Sequence, residues 1–193
     1  MRYPIVELST GVFFGIVAWK FHGSAVSLLA ALLYLAAVSI TLALIDIDTH
    51  TLPNRIVIPS YFVGVFLLGI TGLISGNHNA IMRAIIGMTL LSLFYFGLAL
   101  LYPGGMGMGD VKFAGVLGLF LGYLGWGVLL VGAFSAFILG GFFALALMLV
   151  RKAKLGSGIP FGPWMLMGAW IGVFFSAPIV QQYLSIFGLT NRI

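Results

Sequence analysis

Cysteine is absent from these 193 residues. That excludes disulfides, thiolate metal ligands and a thiol nucleophile. Charge is almost as scarce: Lys, Arg, Asp and Glu make up 7% of the chain, against about a quarter in soluble domains, which excludes the surface of an ordinary water-soluble protein. His22, His50 and His78 lie far apart, near the ends of different apolar segments, and this argues against a histidine-built metal site. No cofactor motif is present. The net charge of +5 does not point to nucleic acid, because the basic residues are scattered at segment ends, where membrane anchoring and topology account for them. The first apolar run has neither a small-residue cleavage site nor a basic flank beyond Arg2, so no cleavable signal peptide is expected.

What the chain does have is apolar sequence, 62% of it, in runs without the alternation of a membrane β-barrel. The expectation is an all-α polytopic membrane protein, a single domain over residues 1–193, with about seven transmembrane or partly re-entrant helices. They are expected roughly at Ile5–Trp19, Ser24–Ile45, Ile56–Ser75, Ala80–Leu101, Asp110–Leu121, Trp126–Val150 and Pro160–Tyr183. A single helix from Asp110 to Val150 would be about 60 Å long, twice a bilayer core, so a break is expected near Gly122–Gly125. With a cytoplasmic N-terminus, Arg2, Arg55, Lys112, Arg151, Lys152 and Lys154 fall inside and Lys20, Arg83 and Arg192 outside, in accord with the positive-inside rule.

Against this background the three aspartates stand out, because a carboxylate in a membrane segment is a functional suspect. Asp46 and Asp48 close the second apolar run, and Asp110 opens the fifth. Two helices separate them, so both ends face the same side. A pair of carboxylates sharing a proton can hydrolyse a peptide with one activating water and the other polarising the carbonyl. Helix polarity places the charge on Asp110, at a helix N-terminus, and the proton on Asp46, near a C-terminus. Simpler readings stand beside these: Asp110 as a helix cap, Asp46 bonded to a turn at Thr49, Asp48 as a solvated loop residue, Glu7 as a first-turn carboxylate, and Gly104–Gly109 as a flexible loop. Gly107 and Gly109 also permit close backbone approach, and Lys112 either reaches headgroups or pairs with a carboxylate.

Four stretches together carry a resemblance. They are Arg2-Tyr3-Pro4-Ile5-Val6-Glu7, Asp46-Ile47-Asp48-Thr49-His50-Thr51-Leu52-Pro53-Asn54, Gly107-Met108-Gly109-Asp110-Val111-Lys112 and Gly158-Ile159-Pro160-Phe161-Gly162-Pro163. In content and order they resemble the type IV prepilin peptidases, bacterial membrane aspartic proteases of the GxGD type. The resemblance implies Asp46 and Asp110 as the catalytic pair. Asp48, Gly107, Gly109, Lys112, Pro160 and Gly162 become supporting or substrate-binding residues. It further implies prepilins or pseudopilins as substrates, cut at the cytoplasmic face of the inner membrane just before their apolar helix, with lipid as the other partner. Many members also carry a Cys-x-x-Cys domain and methylate the new N-terminus; this chain reads as a short form or fragment without that region. A different class, a proton-coupled transporter using the aspartates as a relay, would place them at midplane in broken helices. A third, a non-catalytic scaffold of a pilus or secretion machine, would tolerate their replacement.

Overall fold

The computed structural model describes residues 3–101, 106–150 and 160–188. Arg2, Gly104, Gly105, Arg151, Lys152, Lys154, Gly158, Ile159 and Arg192, each given a part above, lie outside the described residues. Among those described, all regular structure is helical. There are seven helices: α1 (Tyr3–Lys20), α2 (Val26–Thr49), α3 (Asn54–Ile74), α4 (His78–Leu101), α5 (Met108–Leu124), α6 (Trp126–Leu149) and α7 (Gly162–Ile186). Five of them, α2, α3, α4, α6 and α7, are long and apolar enough to cross a membrane. This is the polytopic bundle the sequence implies.

The expected segments are all present, with ends that differ by a few residues. α1 begins at Tyr3, so Glu7 falls in its second turn, not its first. The larger difference is at α2, which runs one turn further than its apolar stretch. The Asp46 carbonyl accepts the His50 N–H at 2.8 Å, and His50 closes the helix in the left-handed conformation, φ 53°. Asp46 is therefore a residue of the helix and shares its packing face. Buried Leu35, Ser39 and Leu42 precede it at three- and four-residue steps, the spacing of one helical stripe.

α5 is the centre of the bundle. At 17 residues it is about 25 Å long, shorter than a typical hydrocarbon core, and every residue from Phe113 to Tyr123 is buried. It packs against α3, α4, α6 and α7. The break after it falls at Gly125, whose φ of 147° suits glycine alone. Two seams let helices approach backbone to backbone. On α4 and α5, a Cβ added at Gly87 would lie 2.6 Å from the Gly118 carbonyl oxygen, and one at Gly122 2.6 Å from that of Arg83. On α6 and α7, a Cβ at Gly172 would lie 2.5 Å from the Val128 carbonyl oxygen. Without a hydrophobic drive between helices in lipid, such close van der Waals contact is what holds them together. Hydroxyls and one indole add cross-links: Tyr34 with Ser60 at 3.0 Å, Thr71 to Ser27 at 2.7 Å, and Trp170 to Ser39 at 3.0 Å.

The basic residues that are described sort by end as expected. Arg55 and Lys112 lie at the end of the bundle where α2 finishes and α5 begins, and Lys20 and Arg83 lie towards the other. Arg83 there donates to the Tyr123 carbonyl oxygen at 3.3 Å, setting a cation against the C-terminal turn of α5, where the helix dipole favours it.

Candidate active site

The end of α2, the start of α5 and the start of α7 meet at one end of the bundle. Asp46 is 4% exposed, and its carboxylate accepts the backbone N–H of Gly162 at 3.0 Å. Gly162 is the first residue of α7, so this carboxylate touches the N-terminal end of another helix. A Cβ at Gly162 would stand 2.6 Å from the Asp46 Oδ2, and the missing side chain is what lets the carboxylate in. Among the described residues the Asp46 side chain bonds to Gly162, in place of the alternative turn contact at Thr49. Thr49 instead donates to the Ile45 carbonyl at 2.8 Å and pairs with the Thr51 hydroxyl at 2.7 Å.

Asp110 is the third residue of α5, half-buried, and its Oδ2 accepts the Gly107 N–H at 3.1 Å. The capping reading is thus correct as far as it goes, since this carboxylate reaches back to its own helix start. The asymmetry expected from helix polarity is not carried by the structure. Both carboxylates accept one N–H at a helix N-terminus, Asp110 on its own α5 and Asp46 on α7, because the chain folds α7 over the end of α2. Asp46 and Asp110 lie within electrostatic reach of one another, and Tyr95, buried on α4, lies within reach of Asp110.

Leu52 joins the two sides. It sits in the four-residue link between α2 and α3 and is 7% exposed. A Cβ at Gly109 would meet its Cβ at 3.1 Å, and a Cβ at Gly162 would meet its Cδ2 at 3.3 Å. Lys112 ties the same link down from the other side: its Nζ donates to the Asn54 Oδ1 at 3.2 Å. Gly107, by contrast, has room; an added Cβ would be 3.4 Å from its own Asp110 carboxylate. Asp48 lies two residues past Asp46, about 200° round the helix, and is exposed. Pro160 is half-buried just ahead of α7. Phe161 follows it and extends an aromatic cluster, 5.4 Å from Phe137 and 6.1 Å from Tyr95 between ring centroids.

Of the residues singled out by sequence, then, Asp46, Asp110, Gly109 and Gly162 converge, Lys112 braces the link, and Asp48 is exposed. Leu52, Tyr95 and Phe161 carried no assignment. Leu52 had one available signal, as the sole apolar side chain in the link His50-Thr51-Leu52-Pro53. Tyr95 sits in an unbroken apolar run and had none. Among the described residues, no three His, Asp or Glu side chains gather as a metal centre would need.

Fold and site together define a class: a polytopic helical bundle with two acidic side chains drawn together at one end. Residues 32–149, more than half of the chain, match the type IV leader peptidase family, and the chain belongs to that family. The matched span includes Asp46, Leu52 and Asp110. The chain is 30% identical over 184 residues to a prepilin leader peptidase/N-methyltransferase of Stutzerimonas stutzeri, covering 95% of this chain and 62% of that protein. The protein of the same name in Pseudomonas aeruginosa is 31% identical over 188 residues, 97% of this chain and 63% of its own length. That of Neisseria gonorrhoeae is 35% identical over 172 residues, 89% and 57% respectively. The chain therefore spans less than two thirds of the length of these relatives. No solved structure matches it.

Proposed function

We propose that this chain is a membrane aspartic endopeptidase that removes the leader of type IV prepilins or pseudopilins. The whole span acts as one peptidase domain, with its site at the cytoplasmic face of the inner membrane. The observation that supports this most is the convergence of α2, α5 and α7, which turns Asp46 inward beside Asp110 and leaves Asp48 exposed. The names of the relatives supply the substrate class.

In this reading the two carboxylates share one proton, since close like charges cannot both ionise easily. The ionised carboxylate takes a proton from a water as the water oxygen adds to the scissile carbonyl carbon. The protonated one hydrogen-bonds to the carbonyl oxygen and passes its proton to it. The resulting diol collapses as the C–N bond breaks. The departing nitrogen takes up a proton from the carboxyl that first received one, and a hydroxyl proton returns to the other carboxylate. Acid and amine leave, and the pair again holds a single proton. The peptide around the scissile bond must be extended to expose that carbonyl, and the glycine-rich approach to α5 suits an extended strand. A proton relay for transport is less well supported, because both carboxylates lie within a turn of a helix end and not at midlength.

The test is cleavage of a purified prepilin in detergent, read as the mass of the product, by wild type and by Asp48→Ala. Shortening by the leader in both supports the reading. An intact substrate with folded wild-type protein contradicts it.

A further inference from the structure

We propose that Leu52 is a positioning residue whose side chain acts as a spacer, fixing the separation of the two aspartates. The inference rests on the peptidase reading above.

The geometry is a wedge. The backbone and Cβ of Leu52 lie against Gly109, the residue before Asp110, while its Cδ2 lies against Gly162, which donates to Asp46. One buried isobutyl group thus stands between the two walls that carry the carboxylates. The link that bears it is itself held. On one side the left-handed His50 closes α2 and the Thr49 and Thr51 hydroxyls pair. On the other, Pro53 caps α3 with φ −68° and Lys112 bonds to Asn54. Proline also keeps the preceding residue, Leu52, extended. The glycines at 109 and 162 are the complement of the spacer: a Cβ at either would press on Leu52. Packed interiors resist small changes of volume, so the size of this side chain sets the gap. Among the described residues, His50 in the link lies within electrostatic reach of Asp46, and Tyr95 on α4 within reach of Asp110; Lys112 on α5 bonds to Asn54.

The test compares wild type, Leu52→Ala, Leu52→Met and Asp46→Asn on one prepilin, with kcat, KM and the pH dependence of kcat. Truncation to Ala lets the walls close or loosen, and the proposal predicts kcat lower by about tenfold to a hundredfold with KM within about threefold. It also predicts a changed separation between the acid and alkaline limbs, because the limbs report the coupling of the pair. Leu52→Met, close in volume, restores most of kcat and the wild-type limbs. If Leu52→Ala fails to fold, the Met variant decides alone against Leu52→Gln, which keeps length but brings a polar group. Near-wild-type kcat and limbs in Leu52→Ala or Leu52→Gln, with Asp46→Asn dead, overturn the spacer and leave the peptidase reading standing. Full turnover by Asp46→Asn overturns both.

Discussion

At Gly162 there is no room for a side chain beside the Asp46 carboxylate, whereas at Gly107 there is. The three glycines near the pair should therefore rank when changed to alanine. Gly162→Ala has to displace the carboxylate itself and is expected to lower turnover by about a hundredfold. Gly109→Ala presses only on Leu52, at 3.1 Å, and should lower it by about tenfold. Gly107→Ala should stay within about threefold, because its contact is ordinary van der Waals packing. Steady-state kinetics on the three variants, with unfolding in detergent as a control, checks the order. At this scale the sequence picked out residues that meet in space and was silent about how they meet. Asp46 could be separated from Asp48 by helical register alone, through Leu35, Ser39 and Leu42. The contact of Asp46 with α7 joins residues 116 positions apart, and no local pattern encodes that.

The helices owe their arrangement to where glycine is and is not needed. Gly118 on α5 faces the backbone of Gly87 and Met88, and Gly140 faces Phe161 and Trp164, while Gly141 has nothing within 4 Å of an added Cβ. The neighbouring pair Gly140-Gly141, alike in sequence, thus splits into one packing residue and one open position. Gly118→Ala should destabilise the bundle by about 1–3 kcal/mol through overpacking. Gly141→Ala should be neutral or gain up to about 1 kcal/mol from helix propensity. Unfolding midpoints in detergent compare the two directly. Element number, order and the break at Gly125 were legible from apolar run length and glycine. The last turn of α2 was not, because charged residues ended the apolar run while backbone hydrogen bonding continued through them.

For the molecule as a whole, the central claim is that one end of the bundle holds a working pair of carboxylates facing the cytoplasm. The lack of cysteine makes the orientation directly measurable. A single cysteine at Thr51, exposed at the site end, should be alkylated by a membrane-impermeant reagent only after the inner membrane is opened. One at Asn79, exposed at the other end, should react in intact spheroplasts. The reverse pattern would turn the protein over and remove the proposed location of cleavage. Fold class and family were legible in the amino-acid sequence, since scarcity of charge and four short motifs spread along the chain suffice for both. The meeting of three helix ends around Leu52 was not, because it depends on tertiary packing of a link with little pattern of its own. The most direct test of the central claim is the prepilin cleavage rate of Asp46→Asn, Asp110→Asn and the double variant. Groups that act as one unit lose nearly everything on the first change. Each single variant should therefore fall by at least about a thousandfold, with the double no slower than the worse single. Substantial cleavage by either single variant, or losses that multiply in the double, would contradict a shared-proton pair.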